Sequence, residues 1–486
     1  MTYRRLGRGE PILRGLTIVE ILLAMGLFAL VVGGAVGAVV QAFSANRLGE
    51  EESYAGLLAS EGVEAARAIA ARDYSNLANG SHGVSSSGGE WVFSGTSDSF
   101  GKFTRTITVS NVYRDGGGDI IASGGTLDLL TKRVKSEVTW NFSPNRNNRS
   151  SATMYFTRWT ESLCTWGSAS QVGELDLPGD GDAKDIDVSN DRAYVTTKRN
   201  GSSGEFFILS LSNPAVPSIL GEFEVGDHTN AVSVWGNYAF LATSKSGEEL
   251  IVVDVSNPSA PTQVATRDIP NGVSQANDVF AEGGFVYLVT QSSSTGGELY
   301  IYDISDPQNP QLRGNFEVGT HAYGVYVSQS RAYVANANVN KELIVVDVSD
   351  PNSPGEIGSY DVPLAGANGQ SVFYSGGVVH LTTRNNGGGV SEYYLLEASD
   401  PANIALIGSL DVGERTNGVE VGVGFSLLAT EKDDEELMIT DTSDPSNPTK
   451  VFSLDLDGDA LGVALEGCSA FFATSENGGE IKVVQP

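Results

Sequence analysis

A seven-residue signature of the form apolar-apolar-Asp-Val-Ser-Asn/Asp-Pro recurs, with variations, through the C-terminal part of the chain. Its spacing constrains the fold more than any other feature. The prolines are Pro214, Pro258, Pro307, Pro351, Pro401 and Pro445, separated by 44, 49, 44, 50 and 44 residues. A period near 40–50 residues marks a repeat architecture, because one unit of that size cannot bury its apolar face alone. Each unit carries four strand signals. In the second they are Ala231-Val232-Ser233-Val234, Tyr238-Ala239-Phe240-Leu241, Leu250-Ile251-Val252-Val253 and a segment after the proline motif. Four strands per repeat make a propeller blade. The 58 glycines and 8% aromatic content suit such a turn-rich β protein.

First-strand signals begin near Asp185, Ala231, Asn277, Tyr323, Gln370, Gly418 and Gly462, which predicts seven blades. The last unit ends after its third strand, Ile481-Lys482-Val483-Val484. The segment Val172-Gly173-Glu174-Leu175-Asp176-Leu177 is expected to supply the missing fourth, closing the ring from both chain ends and leaving no long exposed edge. The chain has two cysteines, Cys164 and Cys468, beside that seam and on one face of it. A disulfide between them is expected; the alternative is two unrelated buried thiols. The runs Leu250-Ile251-Val252-Val253-Asp254 and Leu343-Ile344-Val345-Val346-Asp347 resemble the LVIVD repeat family. The resemblance implies a propeller and transfers no catalytic residue. WD40 and kelch signatures are missing.

The other end of the chain is of a different kind. Arg4, Arg5, Arg8 and Arg14 precede an apolar run from Leu16 to Phe43, long enough to cross a bilayer. The basic flank places the N-terminus in the cytoplasm and the bulk of the chain outside it. One carboxylate, Glu20, interrupts the run, at a cost of roughly 2.5–3.5 kcal/mol on insertion scales. A secretory signal has its small-residue cleavage site after the apolar stretch, whereas here the polar-to-apolar junction comes before it. The motif Gly15-Leu16-Thr17-Ile18-Val19-Glu20 resembles the type IV prepilin leader. The resemblance implies cleavage after Gly15 by a prepilin peptidase, N-methylation of Leu16, and a role for Glu20 in neutralising the amino terminus of a neighbouring subunit. Leu16 departs from the Phe usual in that family. An ordinary signal anchor is the alternative.

The resulting fold class is an α+β pilin-like N-terminal domain with a long membrane helix, followed by an all-β seven-bladed propeller. The expected divisions are a leader (1–15), a transmembrane segment (16–43), a pilin-like helix and antiparallel sheet (44–165) and the propeller (170–486). Residues 44–73 contain no proline and repeat apolar side chains at helical spacing, at Tyr54, Leu58, Ala65 and Ile69. Period-two strands are expected at 103–109 and 134–140, with a third at 152–159.

A net charge of -30 argues against nucleic-acid binding, which needs clustered Lys and Arg. Asp254, Asp303, Asp347 and Asp441 of the repeated motif are read as turn residues, because Ser-Asn/Asp-Pro follows each run. Asp180, Asp182, Asp455, Asp457 and Asp459 are calcium candidates, although neither cluster completes a twelve-residue EF-hand loop. No other cofactor is expected. With four histidines in the chain, a His-rich metal site is not expected; His228 and His321 occupy matching repeat positions. No nucleophile elbow, phosphate loop or zinc-protease motif occurs. These features favour a non-enzymatic minor pilin, displaying the propeller at the cell surface for adhesion or binding an unknown ligand. Its partners would be other pilin subunits, the membrane and the peptidase. A pseudopilin of a type II-like secretion system is the near alternative. A pilin-tethered exported enzyme acting on polysaccharide is the more distant one. It would call for ionisable groups with shifted pKa values in the central channel. The loops around 268–277 and 361–370, opposite the linker, are the expected ligand-binding face.

Overall fold

The computed structural model describes residues 18–72, 74–87, 90–115, 120–121, 126–143, 146–157, 164–199, 201, 203–270, 275–292, 296–363, 366–384 and 389–486. It opens with one continuous helix, Ile18–Arg72, 55 residues long. At 1.5 Å per residue this rod is about 80 Å in length. Its two halves have different surroundings. From Ile18 to Phe43 every side chain is exposed, and this half is long and apolar enough to cross a membrane. Further along, Ala55, Leu58, Ala59, Val63, Ala65, Ala66 and Ile69 are buried. They recur every three or four residues, so they form one stripe, which lies on a sheet.

That sheet is antiparallel. Its main path runs Gly80–His82, Phe103–Arg114, Thr126–Ser143, Arg146–Thr157. The strands expected at 103–109 and 134–140 lie within two of these, the one expected at 152–159 coincides with the last as far as Thr157, beyond which 158–159 lie outside the described residues, and short strands such as Asp98–Phe100 extend the sheet. Inward Phe103, Arg105, Ile107 and Val109 alternate with more exposed neighbours. Arg105 is the exception among these apolar side chains, at 1% exposure. Its guanidinium donates to Asp98 Oδ2 at 2.7 Å and to the Leu58 carbonyl at 3.0 Å, and it lies 3.4 Å from Glu61 Oε2. Glu61 therefore answers a strand residue, while Glu64 pairs with Arg67 one turn along the helix.

Seven four-stranded antiparallel sheets follow. Consecutive innermost strands are neighbours, and the first packs on the last, so the ring is closed. The seventh sheet takes its outermost strand, Ser170–Leu175, from the start of the propeller and pairs it with Ile481–Gln485. Lys482, buried at the seam, is held by Glu174 and Glu476. Cys164 and Cys468 form a disulfide beside it, with Cα atoms 5.6 Å apart.

The proline signature has a local and a long-range use. Asp254, Asp303, Asp347 and Asp441 each accept from the backbone N–H two residues on, at 2.8–2.9 Å. These Asx turns steer the chain from the third strand to the fourth. The proline carbonyl then packs against a glycine in the outer strand of the preceding blade. A Cβ at Gly221, Gly314, Gly358 or Gly408 would overlap the carbonyl oxygen of Pro258, Pro351, Pro401 or Pro445 respectively. Antiparallel pairing puts these proline loops on the face that carries Cys468. The second-to-third and fourth-to-first loops open on the opposite face.

Candidate functional site: the mouth of the propeller channel

The face opposite the disulfide is organised by seven buried glutamates. Glu205, Glu249, Glu298, Glu342, Glu392, Glu436 and Glu480 each immediately precede the third strand of their blade. Six reach across to the loop that leaves their own fourth strand. Glu205 Oε2 accepts from Val225 and Gly226 at 2.9 and 2.8 Å, and Glu392 Oε2 from Val412 and Gly413 at 2.8 and 3.0 Å. Ile269, Val318, Val362 and Leu456 donate to the equivalents. The seventh, Glu480, accepts from Leu177 at 2.8 Å, across the ring closure. Burial raises the carboxyls of Glu342, Glu392 and Glu436, and the amide hydrogen bonds pull against it. This ring fixes the loops around the channel mouth. The signal for it is visible in the sequence as a Glu directly ahead of every third-strand apolar run, but sequence inspection did not single it out.

The loops surround a cavity of about 500 Å³ at the mouth of the channel. Side chains at one position of successive inner strands form its rim: Lys184, Asn230, Asn277, Tyr323, Gln370, Asn417 and Leu461. Three asparagines repeat one contact. The Nδ2 of Asn230, Asn277 and Asn417 donates to the carbonyl of Ala276, Ala322 and Ala460 in the next blade, at 2.7, 2.7 and 2.9 Å. Charges of both signs interleave with the amides. Lys198 pairs with Asp182, and Arg415 lies 3.3 Å from Glu431 and donates to Gln370 at 2.8 Å. Burial lowers the Lys184 ammonium, and burial together with neighbouring carboxylates raises Asp459.

Below the rim the inner strands present carboxylates to the channel. Asp185, Asp187 and Asp278 accept from the backbone N–H of Val232, Val234 and Val325 in the next blade, at 2.9, 2.7 and 2.8 Å. Inner strands are sheet edges, so these N–H groups have no ladder partner and a side-chain acceptor satisfies them. Desolvation in the narrow channel raises all three carboxyls, Asp187 and Asp278 to about 7, where repulsion from Asp185 adds to it. Glu420 is pushed to about 8 by burial and by Asp187. At the level of Asp187 and Glu420 the register places Ser233, Phe280, Tyr326, Phe373 and Ala464 on the remaining blades. Tyr326 packs between Phe280 and Phe373 in tilted contacts, with ring centroids 4.8 and 4.5 Å apart. One arc of the channel is thus aromatic and the other acidic.

The structure places the remaining candidates as follows. Gly15 and Leu16 lie outside the described residues. Glu20 is exposed near the start of the helix. The five calcium candidates do not gather. Asp182 turns to Lys198, Asp455 accepts from the Asp457 N–H at 2.9 Å, Asp180 is exposed, and only Asp182 and Asp459 line the mouth. Among the described residues no group of three His, Cys, Asp or Glu is arranged to hold a metal ion. His228 and His321 play one repeated part: each Nδ1 accepts a backbone N–H, from Arg199 at 2.9 Å and Ser292 at 3.0 Å. Of the two long loops, residues 271–274 and 364–365 lie outside the described set, while Gln275, Asn277 and Gln370 line the mouth.

The LVIVD repeat model matches residues 180–225, 226–268, 274–318, 319–362 and 432–455, less than half of the chain. No curated protein matches. Among solved structures, the chain is similar to the WD40 β-propeller domain of Doa1, at 9% identity over 65% of this chain and 97% of that one, with a TM-score of 0.49. It is also similar to virginiamycin B lyase from Staphylococcus aureus with quinupristin, at 11% identity over 66% of this chain and 100% of that one, TM-score 0.48. A third is BamB from Moraxella catarrhalis, at 10% identity over 66% and 98%, TM-score 0.44. Likeness at this level carries no functional argument.

Proposed function

We propose that the chain is a type IV pilin-like filament subunit that displays its propeller as a binding module at the cell surface. The observation that carries this reading is the division of the Ile18–Arg72 helix. Its apolar half is wholly exposed and holds a single carboxylate, Glu20, while its other half is fixed to a sheet by a buried stripe and Arg105. An exposed apolar rod needs lipid or other subunits around it. A carboxylate in that setting needs an opposite charge, and the amine freed by prepilin peptidase after Gly15 would supply one. The linker reaches the propeller at Cys164, so the channel mouth faces away from the disulfide-bearing side.

Sequencing the mature N-terminus and immunogold labelling of isolated filaments test this together. The expected result is a chain beginning at Leu16 that labels filaments, and a Glu20→Ala variant that is processed but not incorporated. A chain still beginning at Met1, with Glu20→Ala incorporated normally, would remove the filament reading. A second reading, an exported enzyme acting on polysaccharide, draws support from the raised carboxyls of Asp185, Asp187, Asp278 and Glu420. It requires turnover of a polysaccharide that Asp278→Asn or Glu420→Gln abolishes. Binding without turnover excludes it.

A further inference from the structure

We infer that the propeller is seated in one orientation on the helix-and-sheet head, residues 18–157, through a contact between Asn76 and the first turn of the fourth blade. This seating is independent of whether the chain enters a filament. Three features carry it: the burial of the contact, the rigid mounting of Asn76, and the sequence of the turn that receives it.

Asn76 belongs to a 3-10 turn, Tyr74–Asn76, that follows the long helix. It is polar, yet only 7% exposed. Its Oδ1 accepts from Ser328 Oγ at 3.0 Å and from Gln329 Nε2 at 3.4 Å, 252 and 253 residues further along the chain. Ser328 is itself 3% exposed and ends the innermost strand of the fourth blade, Ala322–Ser328. A buried amide oxygen that finds its donors on another unit marks a fitted contact, because buried polar groups are otherwise left unsatisfied. The 3-10 turn is fixed to the head. The Tyr74 hydroxyl lies within hydrogen-bond reach of the carbonyls of Leu130 and Phe156, at 3.1 and 2.9 Å, and the Leu77 N–H donates to the Tyr74 carbonyl at 3.0 Å. Leu77 belongs to the core between helix and sheet.

The receiving turn departs from its neighbours. The third and fifth blades, on either side, join their first two strands through Gly283-Gly284 and Gly376-Gly377, with both residues at positive φ. A two-residue hairpin of this type requires that backbone, and glycine adopts it without a steric penalty. The fourth blade places Gln329 and Ser330 there instead, at φ 54° and 59°. Every other described residue at positive φ is Gly, Asn or Asp. Side chains such as these are disfavoured in the left-handed region. The disfavoured pair falls where Gln329 delivers a donor to Asn76.

This contact faces the covalent one across the ring. Cys468 lies in the matching turn of the seventh blade, three blades away in a ring of seven. The disulfide-bearing face is therefore held at two opposed turns, which restrains rocking about the segment that enters at Cys164. Two hydrogen bonds would not hold free partners together. The covalent connection through residues 158–163 makes the contact intramolecular, at an effective concentration on the order of millimolar, which is what so small a contact needs. Under a pull it opens before the seam does, so it orients the propeller and bears little load.

The test is double electron–electron resonance on the full chain in detergent micelles. Both native cysteines are in the disulfide, so spin labels introduced by Thr153→Cys on the sheet and Ser353→Cys on the fourth blade report alone. Both positions are exposed. A single narrow distance distribution is expected. Asn76→Ala, which removes both hydrogen bonds, should at least double its width, and Gln329→Gly, which removes one, should broaden it by less. Gln329→Gly should not lower the urea midpoint of the propeller, because glycine suits that backbone. Broadening in this variant then reports loss of the contact and not damage to the blade. A broad distribution in the unmutated chain, or an unchanged narrow one in both variants, would overturn the inference.

Discussion

At the scale of single residues, the propeller depends on two repeated devices that differ in what they tolerate. The first is the close approach of an outer-strand glycine to the next blade's proline carbonyl. A Cβ at Gly358 would overlap Pro401 O, whereas one at Gly355, three residues earlier, meets nothing within 4 Å. Gly358→Ala is therefore expected to destabilise the propeller by about 2 kcal/mol or more, and Gly355→Ala by less than about 0.5 kcal/mol. Urea unfolding midpoints of the two variants decide it, and equal midpoints would remove the glycine argument. The second device is the buried glutamate ring. Glu392→Ala leaves the N–H groups of Val412 and Gly413 without an acceptor and should cost about 2–3 kcal/mol. Glu392→Gln keeps one acceptor oxygen and should cost less. The glutamate stands in every repeat and the glycine in most of them, Ala265 and Phe452 taking its place in the second and sixth blades, yet only the proline motif was legible beforehand. Its Asx-turn chemistry is local, and so its meaning is contained in a few consecutive residues. The partner of six of the glutamates lies about 20 residues away, and that of Glu480 at the far end of the ring, each in a loop that carries no signature of its own.

At the scale of elements, legibility follows the same line between local and distant causes. The helix and the main strands of the head announce themselves by period, since a helical stripe and strand alternation are properties of the segment alone. Arg105 does not. It sits at an inward position of a strand that otherwise reads Phe103, Ile107, Val109, and only the approach of Leu58, Glu61 and Asp98 explains a buried cation there. Removing it as Arg105→Ala uncovers Asp98 and frees the helix from the sheet, with an expected loss of about 3–5 kcal/mol in the head. Limited proteolysis within residues 44–72 should accelerate while cleavage of the propeller does not. The inner strands were foreseen as strands, but not their lining. At the level of Asp187 and Glu420 the seven blades present Asp, Ser, Phe, Tyr, Phe, Glu and Ala in turn, so no repeat pattern marks them. Their carboxyls make a pH prediction. Asp187 and Asp278 titrate at about 7 and Glu420 at about 8 when folded, all above their ordinary values, chiefly through desolvation. From about pH 4 up to those values the folded protein holds protons that the unfolded chain releases, so stability falls as pH rises through that window. His380, pushed down to about 3 by burial, acts in the opposite sense, but only below about pH 6.5. Between pH 6.5 and 8 the propeller should therefore lose on the order of 2–5 °C in Tm. A variant carrying Asp187→Asn, Asp278→Asn and Glu420→Gln should be flat over that interval. A wild-type Tm that stays level over the interval would show that water in the channel keeps these groups ionised.

At the scale of the whole molecule, the governing fact is that a ring has one seam, and the seam here sits where the rest of the chain is attached. Ser170–Leu175 closes the sheet by hydrogen bonds to Ile481–Gln485, and Cys164–Cys468 closes it covalently a few residues upstream, across 304 positions of sequence. If the propeller is displayed from the N-terminal helix as proposed, a force exerted on a bound ligand is transmitted to that helix through the segment entering at Cys164. Without the disulfide that force would act on the closing strand alone and peel it from the last blade, with Lys482 and its two glutamates as the remaining resistance. With it, the load passes directly into the turn between the first two strands of that blade, and the closing strand is shielded. At equilibrium the crosslink also restricts the unfolded ring, by about 3–5 kcal/mol for a loop of this length. A Cys164→Ser, Cys468→Ser double variant should accordingly show its propeller transition at lower urea while the head transition, which lies outside the loop, stays in place. It should also yield at a lower force than the wild type when single molecules are pulled between the head and the channel mouth. Identical unfolding forces would mean that strand pairing alone carries the load, leaving the disulfide an equilibrium role only.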